Sequence, residues 1–75
     1  DARTRFLVTI AALTVLGAQA EPQMKLAIRN GLEAGATKRE VAEVIYQMSM
    51  FGGMPAMTKA LEIAQKVFDE TESDA

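Results

Sequence analysis

The chain has no cysteine, no histidine and no tryptophan, and only one tyrosine, three phenylalanines and two prolines in 75 residues. Without cysteine there are no disulfide staples. Without cysteine and histidine the usual zinc sites, thiol redox centres and Ser/His or Cys/His nucleophile arrangements are excluded, and no metal or cofactor is expected. Positive charge is not in excess either: the net charge is -2 and the pI about 5.0, which gives no general attraction to nucleic acid or anionic membranes. The one long apolar run, Phe6 to Ala18, is interrupted by Thr9 and Thr14. It falls short of the roughly 20 residues needed to cross a bilayer. No signal-peptide cleavage site follows it, because Gly17, Ala18 and Ala20 lead into further helical pattern. These absences predict a cytoplasmic protein with neither nucleic-acid nor membrane partners.

Hydrophobic residues make up 49% of the chain, mostly Ala, Leu, Ile, Val and Met, which favour helices over strands for the most part. Residues 1–75 are read as one all-α domain, a four-helix antiparallel bundle. A chain this short buries only about 60% of the surface that its unfolded form exposes, so its stability must come from packing alone. The first helix is expected from about Arg3 to Leu16. Phe6, Leu7, Val8, Ile10, Ala11, Ala12, Leu13, Val15 and Leu16 cover nearly its whole circumference, and a helix apolar all round is buried all round. Three short companions could scarcely enclose it, so a partner subunit, or helices upstream of Asp1, is expected on its far side. Asp1 is not read as the start of the gene product, since no initiator Met precedes an almost immediate helix.

The second helix is expected to start near Pro22, with Met24, Ile28 and Leu32 on its core side and Lys25, Arg29 and Glu33 outside. "EAGATKRE" closes it and opens the third: Gly35 suits a left-handed C-cap, and Thr37 with Glu40 forms a capping box. The third helix is predicted from Lys38 to about Phe51, with Val41, Val44, Ile45, Met48 and Phe51 as its core stripe. Gly52 and Gly53 stop it and Pro55 restarts a helix that runs to about Phe68, with Met57, Leu61, Ala64, Val67 and Phe68 inward and a Glu62–Lys66 pair outward. The acidic end, residues 70–75, is expected to fray, because its charges oppose the helix dipole.

"QMSMFGGMPAM", Gln47 to Met57, holds four of the five methionines. An adaptable binding surface is one reading. The plainer one is a tight αα corner in which Met48 and Met57 face each other. Gln47 sets an amide at the margin of an apolar stripe and needs a partner, either a polar ligand or water in a cavity, or the end of a neighbouring helix. Lys25, Arg29 and Arg39 could each grip a carboxylate, Arg29 with bidentate geometry, although surface solvation accounts for all three. Glu40 belongs to the capping box, so Glu40 and Glu43 do not form an acid/base pair. A helix-turn-helix reading of "NGLEAGATKREVAEVI" is disfavoured by the acidic balance and by the lack of base-reading side chains further along the third helix.

"NGLEAGATKREVAEVI", the corner "FGGMPA" and the closing "ALEIAQKVF" follow one another in the order and spacing of a known family. Over roughly Arg3 to Asp69 the chain resembles the carboxymuconolactone decarboxylase family, within the alkylhydroperoxidase D-like superfamily. The resemblance implies an all-helical subunit assembled as trimers or hexamers. It also implies one of two chemistries: cofactor-free decarboxylation of a small carboxylated lactone in aromatic catabolism, or disulfide reduction through a Cys-x-x-Cys pair with a Glu and a His. The resemblance puts the family's cysteines near Ala20 and Gln23, its His near Ala27 and its Glu near Phe6, and none of that chemistry is present there, so thiol peroxidase and disulfide reductase activities are not expected. Decarboxylation needs mainly a desolvated carboxylate, an enolate stabiliser and a proton donor, for which Arg29, Tyr46 and Gln47 are the candidates. Gln47, Phe51, Gly53 and Pro55 are expected to line a pocket between the third and fourth helices and a neighbouring subunit. No catalytic residue is assigned. The alternative is a family relative without chemistry that serves as a helical oligomer or accessory subunit.

Overall fold

Four helices and one isolated helical turn account for the secondary structure of residues 1–16 and 20–74, the part of the chain that the computed structural model describes. The helices are α1 (Ala2–Val15), α2 (Glu21–Glu33), α3 (Lys38–Gln47) and α5 (Met54–Asp74), and the turn is α4 (Ser49–Gly52). Gly17 and Ala18, at the end of the apolar run, and Ala75 of the acidic tail lie outside the described residues. The all-α class read from composition and periodicity holds among the described residues. None of the described helices is long and apolar enough to cross a membrane.

The ends of the helices follow local chemistry. Asp1 caps α1 by accepting a hydrogen bond from the Thr4 N–H at 2.8 Å. Gly35 has φ +110°, and the amides of Ala36 and Gly35 donate to the carbonyls of Gly31 and Leu32, a Schellman closure of α2. Thr37 then caps α3: its hydroxyl accepts from the Glu40 N–H at 3.0 Å, and the Glu40 carboxylate accepts from the Thr37 N–H at 2.9 Å.

Ile10, Met24, Ile28, Val41, Ile45, Ala60, Ile63, Ala64 and Val67 are fully buried and form one core, with Leu7, Leu13, Leu32, Val44, Leu61 and Phe68 packed around it. α1 packs on α2 and α3, α5 packs on the same two helices, and α4 lies between α1 and α5. Of α1, only Ile10 and Thr14 are fully buried. The Thr14 hydroxyl donates to the Ile10 carbonyl at 2.8 Å, which removes the cost of burying it. Val8, Val15 and Leu16 stay exposed, so the chain's own helices leave the far side of α1 open.

Four expectations are corrected. The third helix ends at Gln47, and Met48 breaks it before the separate turn α4; Phe51 therefore leaves the core stripe and stands 74% exposed. The two glycines of the corner also do different work. Gly53 has φ +86°, whereas Gly52 does not, and a Cβ on Gly52 would sit 3.2 Å from the Val15 Cα, so Gly52 lets α4 rest directly on the α1 backbone. Finally, the last helix continues well past Phe68 to Asp74, since no breaker intervenes, and Glu70, in the segment expected to fray, is held by Arg29. Lys66 reaches across to Glu21 at 3.5 Å instead of forming the predicted local pair with Glu62.

Candidate functional site

A groove of about 430 Å³ lies between α1 and α3. Leu7, Val8 and Ala11 of α1 form one wall, and Val44 and Met48 the other. The inward stripe of α1 is shared between this groove and the core, because Leu7 and Ala11 are half-buried while Val8, 63% exposed, stands at the mouth. Polar groups sit at the rim: Thr4, Tyr46, Gln47, Glu40 and Glu43.

The two carboxylates come with their own counter-ions. Glu40 pairs with the Arg3 guanidinium and Glu43 with that of Arg39 at 2.8 Å. The Thr37 backbone amide first, and Arg3 second, hold the Glu40 carboxyl below its ordinary pKa. Glu40 is therefore ionised and committed at neutral pH, and it is unsuited to shuttle a proton. Tyr46 and Gln47 are exposed at the rim and present an O–H and an amide N–H2 as hydrogen-bond donors. The exposure of Gln47 removes the demand for a buried partner that its place in the stripe suggested.

Of the residues singled out from sequence, Tyr46 and Gln47 come together in this groove. Arg29 does not join them. Its Nη2 and Nε atoms grip both oxygens of Glu70, at 2.7 to 3.1 Å, on the α2–α5 side. Phe51, Gly53 and Pro55 are exposed at the α4–α5 corner and do not line this groove. This groove lies between α1 and α3; the pocket expected between the third and last helices needs a neighbouring subunit to complete it. Sequence reasoning missed Leu7, Val8 and Ala11 as wall residues, since a helix apolar all round does not say which face turns to which neighbour. Ala27 is buried and Phe6 is half-buried. Among the described residues no group of three or more carboxylates gathers to hold a metal ion.

The family model described as the carboxymuconolactone decarboxylase family matches residues 1–66. The chain belongs to this family. Its relatives include an uncharacterized 15.0 kDa protein in the nqo9-nqo10 intergenic region of Paracoccus denitrificans, 64% identical over 74 residues, which are 99% of this chain and 55% of that protein. A 4-carboxymuconolactone decarboxylase of Acinetobacter baylyi is 39% identical over 67 residues, covering 89% of this chain and 48% of the enzyme. An uncharacterized protein of Methanocaldococcus jannaschii is 45% identical over 47 residues, 63% of this chain and 42% of that protein. The chain thus spans about half the length of the curated relatives it matches.

Proposed function

We propose that the chain acts as a carboxymuconolactone decarboxylase-type subunit, an alkylhydroperoxidase D-like bundle that assembles with copies of itself, in the cytoplasm. In this reading the α1–α3 groove, closed by a second copy, holds a small carboxylated lactone. The observation that carries the reading is the groove itself, with apolar walls and two neutral donors, Tyr46 and Gln47, on its rim. Family membership and the 39% identity to a named decarboxylase support it.

The chemistry needs no metal or organic cofactor. Apolar walls strip water from a substrate carboxylate and raise its energy relative to neutral CO2. As the C–C bond to that carboxylate breaks, its electron pair passes into the conjugated lactone as an enolate and CO2 leaves. The Tyr46 O–H and a Gln47 N–H stabilise the enolate oxygen, and a proton from water then reaches carbon. With Glu40 and Glu43 matched by Arg3 and Arg39, the rim does not repel an anionic substrate.

Incubation of the purified protein with 4-carboxymuconolactone should release CO2. Tyr46→Phe and Gln47→Ala should each lower kcat at least about tenfold, less than the 10²–10³ of a fully enclosed oxyanion donor because both sit at an exposed rim. Absence of turnover, or turnover that neither substitution changes, discards the mechanism.

The lack of a His near Ala27, where the resemblance puts the family's, and the absence of a free cation facing the groove among the described residues, favour a second reading: a relative without chemistry that serves as a helical oligomer. Thermal shift against carboxylated lactones and aromatic acids separates the two. A decarboxylase is stabilised by some member of the panel and a scaffold by none.

A further inference from the structure

A second concavity, about 390 Å³, lies on α2 and is lined by Glu21, Pro22, Lys25 and Arg29. Lys59 and Lys66 of α5 do not line it but reach across to Glu21 at its edge. The Nζ atoms of Lys25 and Lys66 each lie 3.5 Å from one oxygen of Glu21, and that of Lys59 lies 3.9 Å from the other. One carboxylate therefore faces three ammonium groups, and two of these share a single oxygen and lie within twice that distance of each other. Arg29 adds nothing to the imbalance, because Glu70 matches it.

The ion pairs of the seam between α2 and α5 thus set three ammonium groups against one carboxylate, on a chain whose net charge is -2; Glu62, one turn from both Lys59 and Lys66 on the same face of α5, offsets part of the remaining positive charge. Convergence of this kind runs against mutual repulsion, and long lysine side chains on an accessible surface are free to swing apart. The Glu21 carboxyl is held below its ordinary pKa, chiefly by the Lys66 ammonium, so its charge is present at neutral pH and the excess is not larger. We propose that this seam is a binding site for a small multivalent oxyanion, carrying two or more negative charges, which lies against Lys25, Lys59 and Lys66 and completes the neutralisation that Glu21 begins. It shares no lining residue with the α1–α3 groove, so it stands or falls independently of the decarboxylase reading.

The test is an NMR titration at pH 7 and constant ionic strength with inorganic phosphate in one arm and citrate in another, against sodium chloride as the control. Saturable shifts centred on Glu21, Lys25, Lys59 and Lys66 are expected in at least one arm. Phosphate alone assigns the site to phosphate groups, and citrate alone to polycarboxylates. The Lys59→Ala/Lys66→Ala double variant, whose side chains are about half exposed, should keep its helical circular dichroism and bind at least tenfold more weakly. Glu21→Gln should bind several-fold more tightly, because it removes the competing internal counter-ion. No saturation in either arm, equal affinity in the double variant, or weaker binding by Glu21→Gln overturns the proposal.

Discussion

Replacing Ile10 with alanine is the sharpest test of how α1 is held. Ile10 is fully buried and is the only fully buried apolar residue of α1 among those described. The substitution deletes three carbons, and at about 0.8 kcal/mol per buried methylene the transfer loss alone is about 2.4 kcal/mol. The hole would not close readily. Ile10 lies over Gly31 of α2, where even a Cβ would be 3.7 Å from the Ile10 Cδ1, and glycine has no side chain to lean into the space. The cost should therefore fall in the upper half of the ~2–5 kcal/mol range for such truncations. At about 0.05–0.15 kcal/mol per residue the whole chain holds only roughly 4–11 kcal/mol, so Ile10→Ala should remove a third of the stability or more. The assay is urea unfolding followed by far-UV circular dichroism at fixed protomer concentration, with Arg5→Ala, exposed on the same helix, as the control expected within about 0.5 kcal/mol. A loss under about 1 kcal/mol for Ile10→Ala, or one no larger than that of Arg5→Ala, refutes the packing described.

Three further outcomes follow from the same geometry. Gly35→Ala and Gly53→Ala place a side chain at positive φ and should each cost about 1–2 kcal/mol in thermal or urea melts, whereas Gly52→Ala trades a tight contact with Val15 against better helix propensity and should cost less. The folded pKa of Glu40 is depressed, so its stabilisation is complete above its ordinary value of about 4.5 and disappears as pH falls through the lower folded value. Glu40→Gln should accordingly reduce stability at pH 7 and flatten the acid limb of a stability–pH profile. Arg29→Ala releases Glu70 and should speed amide exchange in α5 beyond Phe68, while global stability falls by no more than about 1 kcal/mol because the pair is half exposed.

The parts of this fold that are local in the chain were legible in the sequence. Gly35, Thr37 and Glu40 act on neighbours within a few residues, so the α2–α3 boundary could be read from "GLEAGATKRE" alone. Met24, Ile28, Val41, Ile45 and Val67 were likewise visible as inward stripes. Phe51 was misread because a helical stripe can be extended on paper past the point where the helix stops, and nothing in the residue types marks Met48 as its end. The α1–α3 groove was not foreseen for a related reason. α1 has no polar face to orient it, so its pairing with α3 is decided by tertiary packing. Long-range ion pairs such as Arg29–Glu70 and Lys66–Glu21 join residues more than forty positions apart, and no spacing rule on a single helix reports them. Tyr46 and Gln47 share the groove rim, while Arg29, Phe51, Gly53 and Pro55, which the sequence grouped with them, lie elsewhere on the fold.

The exposed far side of α1 and the proposed closure of its groove by a second copy both require self-association. Sedimentation equilibrium of the protein at micromolar concentration measures this directly. The predicted result is the mass of two or more protomers, each 8.1 kDa for these 75 residues, reduced toward one protomer by Val8→Asp at the groove mouth. A folded single protomer at every concentration, unchanged by Val8→Asp, would contradict it.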